Sequence, residues 1–312
     1  MVKKNIAIIG AGQLGSRHLQ ALAQLEEDVS FYIVDPSNLS LGVSIERFNE
    51  VNHDKKSLKA LNNVSELPRV LEFVIISTNS KQRLDVLREL LNHAEVKYLL
   101  LEKFLFPHIW EYEEAKKLLN NTKTKVYVNC VKRMWPNYQE LKSLLKLEKN
   151  IHFELSGGQW NLASNAIHFL DFFLYMTNES FVHVDTSLLD NELSNNKRDG
   201  YVEFMGTLKM ITPNLNTLVL TSKSNNTEPY QIRISSNNYK IEIFEVQEKC
   251  IVNGKEMEFK MYYQSNLTNI VYLQLCHRGD CDLVDFKTAA DEHMMLLRAF
   301  NSYLDGREGI IT

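Results

Sequence analysis

The sequence predicts an α/β domain followed by an α+β domain, because two kinds of hydrophobic pattern divide the chain. Up to about residue 120, short apolar runs alternate with helical patterns, which is typical of β-α-β units around a parallel sheet. From Ile151 onward, strand-like runs follow one another without helical crossovers, which indicates a mostly antiparallel sheet. The 312 residues also exceed what one ordinary core supports. We therefore predict two domains, at residues 1–122 and 123–312.

In the N-terminal part, runs rich in β-branched residues predict the strands, and apolar residues at helical spacing predict the helices between them. The predicted strands are Asn5–Ile9, Ser30–Val34, Phe73–Ser77, Tyr98–Glu102 and Lys125–Asn129. The predicted helices are Leu14–Leu25, Lys81–Leu91 and Ile109–Leu119.

The C-terminal part is predicted to place one buried helix among strands. Asn165–Met176 is apolar nearly all round, which is typical of a buried helix, and Tyr138–Leu147 has an ordinary helical pattern. A last helix, Ala289–Leu304, is expected to pack back on the first domain. The alternating runs predict strands at Phe153–Gln159, Val182–Leu188, Tyr201–Met210, Asn216–Ser222, Gln231–Ser235, Tyr239–Val246 and Lys260–Tyr263.

Composition excludes several classes of protein. Hydrophobic residues make up 44% and charged residues 24%, as in soluble globular proteins. The net charge of -4 provides no basic field for nucleic acid or an acidic membrane surface. Four cysteines are too few for a disulfide framework, and we find neither a signal peptide nor an apolar window long enough to span a membrane. We therefore expect a cytoplasmic protein without nucleic-acid or membrane partners.

A glycine-rich turn follows the first predicted strand and opens the first predicted helix. It has the pattern G-x-G-x-x-G and consists of Gly10, Ala11, Gly12, Gln13, Leu14 and Gly15. The first glycine allows the tight turn, the second lets the backbone approach a diphosphate, and the third allows the helix to pack closely on the strand. The helix N-terminus adds amide donors and the positive end of a dipole. This context predicts a dinucleotide-binding Rossmann domain.

Asp35 ends the second predicted strand, about twenty residues after the turn. A carboxylate at this point accepts hydrogen bonds from the adenosine ribose hydroxyls and repels a 2′-phosphate. Asp35 therefore predicts NAD in preference to NADP, although Ser37 and Asn38 leave NADP possible.

The motifs that follow resemble those of the Gfo/Idh/MocA oxidoreductases over roughly residues 3–180. The glycine-rich turn continues through Arg17 and His18, and a later strand ends in Glu102-Lys103, where the family has Glu-Lys-Pro. In the same order follow the counterparts of four further family elements, namely Ser77-Thr78-Asn79, Arg133-Met134-Trp135-Pro136, Gly157-Gly158 and His168-Phe169-Leu170-Asp171.

This resemblance implies an NAD(P)-dependent enzyme that acts on sugars, polyols or nucleotide-linked sugars. It also implies an open-faced antiparallel sheet that is often used for oligomerisation, so we expect a homodimer or homotetramer. The cofactor-binding residues expected from the turn and the resemblance are Gly10, Gly12, Gln13, Leu14, Gly15, Asp35, Thr78, Asn79, Glu102 and Lys103.

The chain departs from the family pattern at four positions. Phe104 replaces the proline of Glu-Lys-Pro, and Arg83 stands where many members have a histidine. Ser164 and Ala166 occupy positions that often hold an aspartate and a glycine before the catalytic histidine. The acid-base set is therefore altered.

Three residues are the candidates for catalysis. Lys103 follows a parallel strand, where ligands of open α/β sheets bind, and its ammonium can polarise a carbonyl or stabilise an alkoxide. His168 suits a proton relay, and Asp171, on the same helix stripe, suits orienting the imidazole or binding substrate. The alternative is a buried His-Asp pair that only satisfies itself.

Other residues carry less specific signals. Asn129, Lys132 and Arg133 can hold substrate hydroxyls or a phosphate, or form a solvated basic cluster. Trp160 and Tyr201 can stack on a sugar or belong to the core. The cysteine and histidine spacings fall short of a zinc site, so no metal is predicted.

The leading hypothesis is an NAD(H)-dependent oxidoreductase that moves hydride to or from a sugar or nucleotide-sugar hydroxyl or keto group, with Lys103 and His168 as proton relay. A second hypothesis is a non-catalytic regulator of the same fold, motivated by Phe104, Ser164 and Ala166. A third is a reductase of another carbonyl or imine, as in relatives similar to biliverdin reductase.

Overall fold

The computed structural model describes residues 3–53, 56–195, 200–224 and 226–306. The chain divides into two compact units. The first unit comprises residues Met1–Asn129 and Tyr262–Lys287, and the second comprises Cys130–Met261 and Thr288–Thr312.

The strands, in chain order, are β1 (Lys4–Ile9), β2 (Val29–Val34), β3 (Leu58–Leu61), β4 (Val70–Ile76), β5 (Glu95–Leu101), β6 (Lys125–Val128), β7 (His152–Gly157), β8 (His183–Leu189), β9 (Ser194–Asn195), β10 (Val202–Glu203), β11 (Gly206–Ile211), β12 (Thr217–Ser222), β13 (Gln231–Ser235), β14 (Lys240–Phe244), β15 (Lys249–Val252), β16 (Lys255–Glu258) and β17 (Val284–Asp285). The helices are α1 (Gln13–Leu22), α2 (Asn38–Val51), α3 (Ser80–His93), α4 (Ile109–Asn120), α5 (Pro136–Leu145), α6 (Leu162–Thr177), α7 (Thr268–Arg278) and α8 (Phe286–Leu304).

The first unit is built on a seven-stranded sheet in the order β17-β6-β5-β4-β1-β2-β3. All neighbours are parallel except β17, which runs antiparallel to β6. In β1, Ile6 lies between Phe31 of β2 and Phe73 of β4, and all three side chains are buried. Strands buried on both faces read as continuous apolar runs, which is why the sequence predicted them well. The predicted Rossmann fold is confirmed.

The boundary of the first unit lies later than the predicted residue 122. Residues 125–128 form β6, which is hydrogen-bonded in parallel to β5 and therefore belongs to the first sheet. The segment Tyr262–Lys287 also folds with this unit, because β17 pairs with β6 and α7 packs on α1. The part of the last helix from Thr288 onward folds with the second unit.

The second unit is built on an eight-stranded sheet in the order β16-β15-β14-β13-β7-β12-β11-β8. Only the interior pair β7 and β12 is parallel, and the other pairs are antiparallel, so the sheet is mostly antiparallel, as predicted. Alternate residues, such as Phe153, Leu155 and Leu220, are buried, and the predicted buried helix is α6. The predicted strand Lys260–Tyr263 is not a strand. The strand that pairs with β15 is β16, Lys255–Glu258.

The sequence pattern also missed four elements of the first unit, namely α2, β3, α7 and β17. Within the described parts of the chain, no helix is long and apolar enough to cross a membrane.

Candidate functional site

The three glycines of the turn between β1 and α1 have different surroundings. Gly10 has a φ of +100°, and a Cβ there would lie 2.8 Å from the backbone nitrogen of Thr78. A Cβ on Gly15 would lie 1.8 Å from the carbonyl oxygen of Gly10, so only glycine fits. At Gly12, by contrast, a Cβ would meet no described atom within 4 Å. The turn is therefore tightly packed at its two ends and open at its middle.

Hydroxyl groups hold the turn in place. Ser77 Oγ donates to the carbonyl of Gly10 at 2.7 Å, and buried Ser44 Oγ donates to the carbonyl of Ala11 at 3.0 Å. Gly12 is the N-cap of α1, and among the described residues no side chain caps that end. The amides at the start of α1 are thus available to an anion beside the open space over Gly12.

Asp35 lies directly after β2 and is half-buried. One carboxylate oxygen accepts from Ala11 N at 2.8 Å and the other from Ser37 N at 2.8 Å. Each oxygen retains a second lone pair, so the fixed carboxylate can still accept a ribose hydroxyl. This places Asp35 against the glycine-rich turn, as the predicted adenosine contact requires.

Gln13 and Leu14 occupy the first turn of α1 and are exposed. Arg47 of α2, a residue that the sequence did not single out, donates to Gln13 Oε1 at 2.7 Å and also binds Ser16 Oγ. No sequence signal marked Arg47, because the amphipathic pattern of α2 is weak.

Thr78 and Asn79 follow β4, beside the turn. Thr78 Oγ1 is buried and has no hydrogen-bond partner within the described residues. Asn79 is exposed and serves as the N-cap of α3, where its side chain accepts from Gln82 N at 3.2 Å. Thr78 is therefore the better placed of the two to meet a ligand.

Arg83 is buried and bridges two loops. Its guanidinium donates to the carbonyls of Thr78 and Phe104 and, at 2.8 Å, to that of Leu105. It thereby fixes the loop after β4 to the loop after β5. Lys103, in the second loop, is half-buried.

Glu102 is buried within a hydrogen-bond network of the first unit. Its Oε1 accepts from His18 Nε2 at 2.8 Å and from the side-chain amide of Asn129. The other ring nitrogen of His18 lies 2.8 Å from Thr268 Oγ1, and Asn129 also donates to Gln264 Oε1 at 2.9 Å. Glu102 thus ties α1 to the carboxyl ends of β5 and β6.

In the second unit, α6 carries both His168 and Asp171. His168 is half-buried, whereas Asp171 is completely buried and bound by Arg133 Nε at 2.8 Å. Arg133 also lies 3.3 Å from buried Glu292. Burial raises the pKa of Asp171, against the opposing effect of the Arg133 guanidinium. Because Asp171 is buried and bound to Arg133, its carboxylate is held in one position, as a residue that orients a neighbouring side chain requires.

Ser164 lies in the first turn of the same helix and contacts a carboxylate that the sequence did not single out. Buried Glu203, from β10, accepts a hydrogen bond from the Ser164 hydroxyl. The same carboxylate accepts from Ala163 N at 2.8 Å, so it caps α6. Because α6 has no other described side-chain cap, Glu203 both satisfies the helix start and orients Ser164.

Lys132 is likewise committed to an internal contact. Its ammonium is buried and lies 2.5 Å from Glu245, which also accepts from the hydroxyls of Tyr138 and Tyr230. Lys132, Tyr138 and Tyr230 hold the pKa of Glu245 below its usual value, although burial acts in the opposite direction. Lys132 is therefore an interior ion-pair partner and not part of a solvated basic cluster.

The two aromatic candidates are core residues. Trp160 donates from Nε1 to the carbonyl of Thr221 at 2.9 Å and packs edge-to-face on Phe169. Tyr201 is buried as well.

The first unit fits a dinucleotide. The open space over Gly12, the uncapped start of α1, the fixed Asp35 carboxylate and the unpartnered Thr78 hydroxyl lie along the carboxyl ends of β1, β2 and β4. Those strand ends are where open parallel sheets bind nucleotides.

Comparison with known proteins agrees with this geometry. Residues 4–130 match a family model described as an oxidoreductase family with an NAD-binding Rossmann fold. No curated protein sequence matches the chain.

Three solved structures share the fold of almost the whole chain. The UDP-N-acetylglucosamine 3-dehydrogenase GnnA from Acidithiobacillus ferrooxidans has a TM-score of 0.74 at 15% identity, over 96% of this chain and 97% of that one. An oxidoreductase from Agrobacterium radiobacter, in complex with NAD+, L-tartaric acid and magnesium, has a TM-score of 0.74 at 14% identity, over 98% of both chains. The transcriptional regulator Gal80p from Kluyveromyces lactis has a TM-score of 0.72 at 16% identity, over 97% of this chain and 90% of that one.

Proposed function

We propose that the protein is an oxidoreductase that transfers hydride between NAD(H) and a sugar or nucleotide-sugar carbon. The premise is that residues 4–130 match the NAD-binding Rossmann domain of the Gfo/Idh/MocA oxidoreductase family. The observation that carries the proposal is the glycine-rich turn, which is closed by packing at Gly10 and Gly15 and open at Gly12. Gly12, Asp35 and Thr78 would hold the cofactor, which supplies or accepts the hydride when bound.

Lys103 and His168 are the residues proposed to move the hydroxyl proton. Lys103 follows β5 in a loop that Arg83 fixes through backbone carbonyls, so its backbone is held in one place. An ammonium there stabilises the negative charge that develops on a substrate oxygen. The His168 imidazole, whose two ring nitrogens can each carry a proton, is suited to accept or return the proton.

Asp171 is proposed as a positioning residue. It is fully buried and bound to Arg133. Because it lies one turn of α6 beyond His168, it influences the imidazole through the local field and packing of the helix.

The proposed substrate class, a sugar or nucleotide sugar, is suggested by proteins that share the fold. The GnnA structure is that of an enzyme acting on UDP-N-acetylglucosamine, so a nucleotide sugar is the first substrate to test. The same groups serve oxidation and reduction, so both directions belong in the test. The inference of NAD in place of NADP rests on Asp35.

A second candidate function is that of a nucleotide- or sugar-binding regulator. Ser164 cannot act as a carboxylate base, and the fold is shared with the regulator Gal80p. In that case the protein binds NADH but turns over no substrate.

Two further properties belong to the proposal. No disulfide joins the four cysteines, all of which lie within the described residues, and this supports a reducing, cytoplasmic location. The sheet of the second unit has half-buried residues such as Glu154, Val219 and Ile251 on the face opposite its buried alternate residues, which supports self-association as a dimer or tetramer.

The experiment compares wild type with Lys103→Met and, as a control on the strand that precedes Lys103, Lys97→Met. Lys97 is exposed and pairs with Glu72 at 2.8 Å. NADH binding is followed by fluorescence, and hydride transfer by absorbance with UDP-N-acetylglucosamine and a panel of sugars, in both directions.

We expect all three proteins to bind NADH, with Lys103→Met losing at least about 100-fold in turnover. Unchanged turnover in Lys103→Met would remove Lys103 from the mechanism. Binding of NADH without turnover of any panel member by wild type would favour the regulator.

A further inference from the structure

Arg47 connects α2 to the start of α1. Its guanidinium donates to the carbonyl of Gln13 at 3.3 Å, to Gln13 Oε1 at 2.7 Å and to the hydroxyl of Ser16. Ser16 is completely buried and itself donates to the Gln13 carbonyl at 3.0 Å. One arginine therefore binds both the backbone and the side chain of the first residue of α1.

These contacts fix the direction of the Gln13 amide. A guanidinium has only donors, so the Gln13 atom that faces Arg47 must be the oxygen. The amide nitrogen of Gln13, with its two N–H groups, is consequently turned away from Arg47. A glutamine without this restraint would present its oxygen or its nitrogen with similar ease.

The restraint matters because of the ligand that this turn binds. A diphosphate carries negative charge and only acceptor oxygens, so it needs donors and is repelled by an amide oxygen. Arg47 also contributes charge, because its three hydrogen bonds all end on uncharged oxygens. Arg47 is half-buried, so its charge is less screened than that of a fully exposed residue.

We propose that Arg47 is a diphosphate-recognition residue, which holds the Gln13 amide with its N–H groups towards the cofactor phosphates and adds a positive charge at the start of α1. The inference rests on NAD binding by the turn and names the residues that select for the diphosphate. Arg47 acts on the ligand mainly through Gln13 and is a positioning residue.

A purely structural role, as a tie between α1 and α2, makes different predictions. Such a tie would change stability, and any loss of affinity would be independent of Gln13 and of ionic strength. The proposed role couples Arg47 to Gln13 and makes NADH affinity depend on salt.

The test measures NADH dissociation constants by fluorescence at low and high salt. The proteins are wild type, Arg47→Met, Arg47→Lys, Gln13→Ala and the double variant. The control is Arg88→Met, which removes an arginine of α3 that pairs with Asp85 at 2.6 Å and with Glu114. Thermal unfolding of each variant reports stability separately.

We expect Arg47→Met to weaken NADH binding about tenfold or more at low salt, with a smaller difference at high salt. Arg47→Lys should be intermediate, because it keeps the charge but not the forked donor. In the Gln13→Ala background, the loss from Arg47→Met should be markedly smaller, and Arg88→Met should bind like wild type.

Two results would overturn the proposal. One is wild-type affinity in Arg47→Met; the other is a loss that is the same with and without Gln13 and at both salt concentrations. Failure of the wild type to bind NADH would instead remove the premise, so the failure of cofactor binding and the failure of the Arg47 role give different results.

Discussion

The glycine-rich turn of the first unit and helix α6 of the second unit differ in whether their polar groups have hydrogen-bond partners within the protein. At the turn, the space over Gly12 is open, no described side chain caps α1, and Thr78 Oγ1 is buried without a described partner. Around α6, Glu203 is bound to the helix start and Asp171 is bound to Arg133. The first region leaves groups for a ligand, and the second uses its charges to hold the fold.

This difference explains which predicted residues suit which role. A buried carboxylate that is bound to partners within the protein stabilises the fold, because removing those partners leaves an uncompensated buried charge. Asp171 and Glu203 are therefore expected to act through stability and orientation. The half-buried Lys103 and His168 are the groups whose loss should affect chemistry without unfolding the chain.

The largest effect is expected from the ion pair of Lys132 and Glu245. Replacing Lys132 by Met leaves a buried carboxylate without its cation and should lower the free energy of unfolding by about 3–5 kcal/mol. Urea denaturation measures it. Lys249→Met, which removes a partly exposed lysine 3.9 Å from Glu256, should change stability by less than about 1 kcal/mol. Equal effects of the two substitutions would show that the buried pair contributes little.

The next effect is expected at the cap of α6. Glu203→Ala removes the acceptor of Ala163 N and of the Ser164 hydroxyl, and should destabilise the protein by about 1–2 kcal/mol. Its NADH affinity should remain that of wild type, because Glu203 belongs to the second unit. A large loss of NADH affinity in a well-folded variant would contradict the division of roles.

A change in cofactor preference is expected at Asp35. Asp35→Ser removes the charge that repels a 2′-phosphate, so the ratio of NADPH to NADH dissociation constants should fall by about tenfold. Fluorescence titration with both cofactors gives the ratio. A wild type that binds both equally would mean that Asp35 does not contact the ribose.

The smallest effect is a pH dependence at Glu245. Its pKa in the folded protein is lowered, so its stabilising contribution is present above the ordinary glutamate pKa and is lost as pH falls through the folded value. The difference in unfolding free energy between wild type and Glu245→Gln should therefore shrink below about pH 4. Denaturation at neutral and acidic pH measures this difference in unfolding free energy. If the difference grew on acidification, the pKa of Glu245 would be raised in the folded protein, contrary to the account.

Much of the first unit could be predicted from sequence, because its strands are continuous apolar runs and its turn has a fixed glycine spacing. The helix α2 could not, since only Leu41, Ser44 and Phe48 of its 14 residues are buried and its apolar stripe is weak. The short edge strand β3 has a single buried residue, which leaves no pattern to recognise.

The site could be predicted only where its chemistry is local. The turn and Asp35 belong to one β-α-β unit, whose spacing is visible in the sequence. The partners of Glu102 and Ser164 could not be predicted, because His18 and Glu203 reach them through tertiary folding from distant positions. The same holds for Arg133, whose contact with Asp171 also arises only through tertiary folding.

The central claim is that the middle of the glycine-rich turn is left open for a cofactor diphosphate. Adding one methyl group at that point tests the claim most directly. Gly12→Ala and Gly42→Ala both place a Cβ where no described atom lies within 4 Å, but only Gly12 lies in the turn. We predict that both variants unfold at or above the wild-type temperature, and that Gly12→Ala alone loses more than about tenfold in NADH affinity. Wild-type NADH affinity in Gly12→Ala would contradict the claim.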